Sequence, residues 1–201
     1  MKVKKAPSPR GRPRAFDIDE ALDRAMRVFW RKGYEGASLT DLTEAMGINR
    51  PSLYAAFGDK EALFRRVLDR YDNGPAAYIG KALEEPTARA VAERLLRAAA
   101  DLQTDSRNPG CLMVQGALAC GDAARGVRRE LTSRRKAAES AIRRRFQRAQ
   151  AEGDLPPHSD PAGLALYIAT IVRGMAVQAA GGTTRKELGR VIRTALRAWP
   201  E

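Results

Sequence analysis

The amino-acid sequence predicts an all-α protein, and three observations carry that expectation. Apolar residues recur at three- and four-residue intervals through nearly the whole chain, and no stretch alternates convincingly at period two. The breaks between periodic segments fall at Gly, Pro and Asn, with Ser, Thr, Asp or Asn standing where helix N-caps belong. Of 201 residues, 44% are hydrophobic and 30% charged, the balance of a globular chain long enough to bury a core in one or two domains.

Taken in order, the first helix is expected over about 17–32, with Ile18, Leu22, Ala25, Met26 and Phe29 on one face and Gly33 as its end. Ser38-Leu-Thr-Asp41 is a capping-box pattern that starts a second, short helix, with Leu39, Leu42, Ala45 and Met46 facing inward. Gly47-Ile48 makes a tight turn. Asn49 then caps a third short helix, which tolerates Pro51 in its first turn and runs to about Phe57. Gly58-Asp59 breaks the chain again, and Asp59 caps a fourth helix over about 60–73, apolar at Leu63, Phe64, Val67, Leu68 and Tyr71. Asn73-Gly-Pro75 is a turn signal and the expected domain boundary.

The second half reads the same way. Val91, Leu95, Ala99 and Leu102 form a stripe, and Asn108-Pro-Gly110 precedes a small-residue helix over about 111–120 that holds both cysteines. A long helix over about 123–152 presents Val127, Leu131, Ala138, Ile142, Phe146 and Ala149 on one face, and Gly153 with Pro156-Pro157 stops it. Asp160-Pro161 opens a nearly wholly apolar helix over 161–180. Thr184-x-x-Glu187 caps the last helix, whose face is Leu188, Val191, Ile192, Ala195 and Trp199. The layout is therefore a basic arm over 1–15, a helical domain over 16–73 and a second helical domain over 74–201.

Composition narrows the chemistry. One histidine, His158 in a Pro-Pro-His loop, and two cysteines argue against a multi-ligand zinc site and against a disulfide framework. Cys111 and Cys120 lie nine residues apart, on opposite sides of one helix, so a bridge between them within that helix is geometrically implausible. Neither metal nor cofactor is expected, and the absence of a nucleophile–base pairing or a phosphate loop disfavours an enzyme. The N-terminus has no apolar leader, so a cytoplasmic protein with reduced thiols is expected. Thr170, Arg173 and Gln178 interrupt the apolar 161–180 stretch, which reads better as a helix buried between protein layers than as a membrane span.

Basic residues number 36 against 24 acidic ones, a net charge of +12. Six of the basic residues stand in 1–14 with no acidic one, and ten more in 125–148 face only Glu130 and Glu139. A polyanionic partner fits this charge; so does the Arg-rich usage of a G+C-rich genome, since Arg outnumbers Lys 28 to 8. The cluster 143–145 reads either as a solvated face or as a second DNA surface.

Two short helices joined by a Gly-containing turn, over 38–57, match a helix-turn-helix whose second helix enters a major groove. Arg50 has the geometry to pair bidentately with guanine, and Asn49 and Ser52 to bond phosphate or a base edge. Pro51 and Tyr54 offer flat apolar surface to a thymine methyl or sugar, and the Tyr54 hydroxyl reaches for phosphate. Thr40 and Lys60, each in a first helical turn, add phosphate bonds helped by the helix dipole. The arm Arg10-Gly-Arg12-Pro-Arg14 resembles an AT-hook core whose arginines enter a narrow minor groove; a solubilising tail is the alternative.

The run from Thr40 through Gly47, Tyr54, Phe57 and Lys60 to Phe64, with Ala25-x3-Phe29-x3-Gly33 upstream, resembles the signature of TetR/AcrR-family transcriptional regulators. The close match covers about residues 16–65. Pro51 stands where many members carry a small or charged residue, so the operator sequence does not transfer. The resemblance implies a homodimeric, ligand-released repressor of palindromic double-stranded operator DNA. It places Thr40, Arg50, Pro51, Ser52, Tyr54 and Lys60 at operator-contacting positions, with Asn49 capping the reader helix. It also implies dimerisation through the helices over about 123–152 and 161–180, where Gly163, Ala165, Ala169, Gly174 and Ala176 permit close packing. A small-molecule effector site is expected among Tyr78, Cys111, Met113, Gln115, Tyr167, Met175 and Gln178, which combine apolar bodies with polar tips. Cys111 follows Asn-Pro-Gly at a helix start, and some similar regulators sense electrophiles or oxidants through such a cysteine. Arg173 is left between ion-pair partner, ligand contact and solvated edge. A nonspecific architectural nucleic-acid binder is the remaining alternative.

Overall fold

A computed structural model describes residues 16–118 and 124–200. Arg10, Arg12, Arg14 and Cys120 lie outside the described residues. Among the described residues every regular element is helical.

Helix α1 spans Ile18–Gly36 and is capped by Asp17, whose carboxylate accepts from the Asp19 and Glu20 amides. Gly33 does not end it, contrary to expectation. With φ 70° and ψ 179° it kinks the helix, a conformation glycine reaches without a Cβ penalty, and one more turn follows. Helix α2, Leu39–Met46, starts with the complete Ser38/Asp41 capping box. Gly47 then takes a left-handed φ of 68° that turns the chain directly into Asn49 and helix α3, Arg50–Phe57. Asp59 caps helix α4, Lys60–Asn73.

Past Asn73 come a one-turn 3-10 helix, Pro75–Ala77, and the short α5, Tyr78–Ala82. Helices α6 (Ala88–Gln103), α7 (Leu112–Leu118), α8 (Arg125–Ala151), α9 (Pro161–Ala180) and α10 (Arg185–Arg197) follow.

Among the described residues two cores form. The first packs α1–α4 around Phe29, Leu53, Leu63, Phe64 and Leu68, but it also takes in Leu112 of α7 and Val127 and Leu131 of α8. The second gathers α6, the C-terminal half of α8, α9 and α10 around Leu95, Leu96, Phe146, Ile168 and Trp199. Helix α8 therefore runs through both. It is 27 residues long, about 40 Å at 1.5 Å per residue, and it is a stiff connection between the two halves.

Ion pairs tie α4 to its neighbours on either side. On one, Arg70 grips Asp23 of α1 with its Nε and Nη2 at 2.5 and 2.8 Å and reaches Asp19 at 3.0 Å. On the other, Arg134 of α8 holds Asp69 and Asp72 at 2.6 Å each and Glu130 at 2.7 Å. The Arg70 hydrogen bond, against a smaller opposing effect of burial, holds the Asp23 carboxyl below its ordinary 3.8. A carboxylate with a lowered folded pKa contributes stability above its unfolded value and loses it as pH falls through the folded one. Arg70→Met is therefore expected to lower stability in urea melts at about pH 6, with a gap from the parent that narrows near about pH 3. A gap independent of pH removes Asp23 from the acid response.

Four sequence expectations are corrected here. Val191 of α10 is 44% exposed, because the buried stripe runs through Leu188, Ile192, Ala195 and Leu196. Ala138 is only half-buried; it lies on α8 between the two cores, at the cavity described below. Within the cluster 143–145, Arg143 and Arg144 are exposed but Arg145 is buried. Its guanidinium donates to the carbonyls of Leu83, Glu85 and Pro86 at 3.2, 2.8 and 3.0 Å, which pins the α5–α6 loop. Helix α9, finally, is buried on one side only. Ala165, Ile168, Ala169, Met175, Ala176 and Ala179 face α6 and α8, whereas Leu166 and Val177 stand 51% and 52% exposed. Its length and mean hydropathy of 1.4 are those of a membrane-spanning helix, and about a third of it is buried in the fold.

Candidate nucleic-acid interface and cavity

Leu53 and Phe57 of α3 are buried in the first core. Because side chains at i and i+4 share one face, anchoring 53 and 57 turns the other side of α3 to solvent. Pro51 is exposed on that side, Asn49, Arg50 and Tyr54 are exposed nearer the flanks of the anchored face, and Ser52 is half-buried. Tyr54 shows 49% of its surface, an exposed aromatic that the core does not account for. Asn49 accepts the Ser52 amide at 2.8 Å, so its side chain is committed to the cap. Arg50 donates one Nη2 bond to Thr40 Oγ1 at 3.0 Å, which draws the first turns of α2 and α3 together. A guanidinium has five donors, so most of Arg50 stays available.

Lys60, in the first turn of α4, lies with Nζ 4.5 Å over the Tyr34 ring. Burial lowers its pKa, and the charge of Glu35 opposes that. Tyr34 in turn stacks on Phe29, at 6.2 Å between centroids. The core thus holds the ammonium that the sequence placed beside a phosphate. Arg66 braces α3 from α4, donating to the Ala56 carbonyl at 3.1 Å and lying 5.0 Å over the Phe57 ring.

A cavity of about 120 Å³ opens between α4, α6, α7, α8 and α9. Of the seven residues expected to line an effector site, Tyr78, Cys111 and Met113 do so. The other four lie elsewhere. Met175 is packed in the second core. Gln115 donates to the Pro109 carbonyl at 3.1 Å and closes the Asn-Pro-Gly turn. Tyr167 is on the exposed side of α9, its hydroxyl 3.5 Å from the Ala195 carbonyl. Gln178 is exposed and accepts from Thr183 at 3.2 Å.

The cavity's polar groups come largely from residues that periodicity read as core or surface. Tyr71 of α4 is buried, with its hydroxyl 3.2 Å from Cys111 Sγ. Burial first, and then Cys111, push the Tyr71 hydroxyl pKa well up, and burial does the same to Tyr78. Gln103, the last residue of α6, is buried and lines the cavity. Arg135 and Glu139 of α8 and Arg173 of α9 complete the charged side, with Arg173 paired to Glu139 at 3.0 Å. Arg173 is thus both an ion-pair partner and a cavity-lining residue. One signal for Gln103 was available: it continues the buried α6 positions Leu95, Leu96, Ala99 and Ala100, where an amide is out of place. Tyr71 gave none, because it carries the same helical period as its apolar neighbours.

Residues 21–67 match the family described as bacterial regulatory proteins, tetR family. Residues 86–195 match the tetracyclin repressor-like C-terminal domain. The HTH-type transcriptional repressor ComR of Escherichia coli is 39% identical over 195 residues, covering 96% of this chain and 93% of ComR. The repressor BdcR of the same organism is 31% identical, covering 94% and 91%. A solved structure of a cysteine-substituted TetR family regulator, CifR, in complex with 26-bp double-strand operator DNA is 46% identical. It superposes with a TM-score of 0.90 and covers 94% of this chain and 100% of its own. Both halves of the chain, in sequence and in fold, make this protein a member of the TetR family of helix-turn-helix transcriptional repressors.

Proposed function

We propose that the chain represses transcription as a homodimer on a palindromic operator and is released when a small molecule occupies the cavity behind α4. The exposed residues of α3 carry the DNA-reading half of the proposal: Arg50, Pro51 and Tyr54 are open to solvent on a helix anchored by Leu53 and Phe57. Ser52 within α3 and Thr40 and Lys60 on the neighbouring helices are the proposed phosphate-bonding groups, Asn49 holds the cap, and Arg10, Arg12 and Arg14 are proposed for the adjacent minor groove. Two such helices read successive major-groove faces only when a two-fold axis spaces them. The apolar exposed face of α9, with Leu166, Tyr167 and Val177, supports a dimer axis there. Gly163 and Gly174 lie on that open face, whereas Ala165, Ala169 and Ala176 pack inward.

Helix α4 supports the coupling. Its N-terminus lies next to the reader helix, and its C-terminal Tyr71 and Asp72 are cavity wall. A ligand that binds better when α4 is displaced favours the released state by that difference in affinity. The reading is tested by Arg50→Ala on operator selected from random DNA. Loss of about 1–3 kcal/mol of binding, with relaxed preference at one base, is expected. An unchanged sequence preference overturns it. Lys60→Ala is expected to weaken all sequences about equally.

A second mode of release rests on Cys111. Its Sγ lines the cavity 3.2 Å from the Tyr71 hydroxyl, so a thiol-reactive compound that enters meets the sulfur beside a hydrogen-bonding group. Cys111→Ser is expected to abolish operator release by N-ethylmaleimide. An equal response in the serine variant removes the cysteine from the mechanism.

A further inference from the structure

The cavity behind α4 has a polar signature of its own. Gln103 is 1% exposed, and its Nε2 donates to the Val172 carbonyl at 3.1 Å. That bond fixes which end of the amide is nitrogen, since a mid-helix carbonyl only accepts. The other end, Oε1, is buried and has no hydrogen-bond partner among the described residues. An unpaired buried acceptor is costly, and Gln103 lines the cavity, where a ligand donor removes the cost.

A second observation lies on α8. Three arginines border the cavity. Arg134 is occupied by Asp69, Asp72 and Glu130, and Arg173 by Glu139. Arg135 has no carboxylate partner among the described residues; its one bond is a 3.3 Å contact with Thr132 Oγ1. Burial and then the neighbouring charge of Arg173 disfavour its cationic form, against an opposing effect of Cys111, so an anion there relieves a repulsion as well as filling a vacant fork.

From these we infer that the cavity takes a small organic monoanion, an apolar body carrying a carboxylate for Arg135 and a hydroxyl or N–H donor for Gln103 Oε1. The inference rests on the proposed reading of this cavity as the effector site. A volume of about 120 Å³, below the roughly 150 Å³ of a cavity that holds benzene, makes one aromatic ring the upper limit for the enclosed body. The carboxylate sits at the half-exposed side, where Arg135 keeps part of its hydration and the cost of burying charge is smallest. Larger acids and neutral hydrocarbons lack either the fit or the two polar partners.

Calorimetry on the full-length protein with 3- and 4-hydroxybenzoate, benzoate and the methyl esters of the two hydroxy acids tests this. At least one hydroxy acid is expected to bind about tenfold tighter than both benzoate and its own ester. Gln103→Leu is expected to erase the advantage over benzoate, and Arg135→Gln the advantage over the ester. An ester or benzoate that binds the parent protein as tightly as the hydroxy acids overturns the inference, and so does absence of binding by the whole series. Because the parent series decides alone, an unfolded variant does not block the test. Fluorescence anisotropy of labelled operator separates the two levels. A hydroxy acid that binds selectively without releasing DNA supports the cavity chemistry and refutes the effector reading, whereas release without this selectivity does the reverse.

Discussion

Replacing both Leu166 and Val177 with glutamate is expected to leave a folded chain that no longer holds a specific operator. Both side chains are about half exposed on α9, so the substitutions disturb little within one subunit. In a two-fold interface each substitution appears twice and meets its own surroundings from the partner, which places like charges together where apolar surface was to be covered. A monomer reads one half-site and forfeits much of the roughly 10³–10⁷ by which specific binding exceeds non-specific binding. Operator affinity is expected to fall at least about 100-fold on that scale, and sedimentation is expected to show a monomer. A dimer that survives both charges places the interface elsewhere.

The second large effect is on stability. Phe64 is fully buried, 4.8 Å from the Phe29 ring in an edge arrangement and 5.1 Å from Tyr34. It also reaches α7, where its Cζ lies 3.5 Å from the position a Cβ on Gly116 would take. The ring therefore fills space between the DNA-reading helices and an element of the cavity wall. Phe64→Ala is expected to cost about 3–5 kcal/mol, the lost transfer energy plus the cavity left behind. For a chain of this size that is a fall in Tm of roughly 6–20 °C. Thermal denaturation measures it, and a fall under about 3 °C means that the surrounding helices collapse into the space. Operator binding at low temperature is expected to weaken as well, since Tyr34, which carries Lys60, leans on the same ring.

These effects separate what periodicity read well from what it did not. Caps at Ser38, Asn49, Asp59, Asp160 and Thr184 are local, each set by a side chain bonding an amide two or three residues on, and all five stand where expected. The exposure of Pro51 on α3 was legible for the same reason, because it lies across the helix from two buried apolar residues four apart; Arg50, three residues before Leu53, is exposed because it stands at the helix start. Gly33 was misread because a glycine marks a break in helical geometry without saying whether the chain resumes. Arg145 was misread because three loop carbonyls sixty residues earlier in the chain are what bury it.

The cavity was the least legible part. Its wall joins Tyr71, Gln103, Cys111, Arg135 and Arg173, residues from five separate segments, and no spacing within any one of them encodes their meeting. Tyr167 and Gln178 have the same chemical character as Tyr78 but stand on the outer side of α9, a difference of about half a helical turn that an apolar sequence does not mark.

By itself, then, the sequence determined the all-helical class, the caps, the helix-turn-helix and the residues its reader helix exposes, because each follows from interactions within about one turn of the chain. Only the tertiary structure decided that α8 threads both cores, that α9 keeps an apolar face open, and that an unpaired amide oxygen and an unpaired arginine share one cavity. Those depend on which side of each helix meets which neighbour, and that choice is made by packing among distant segments.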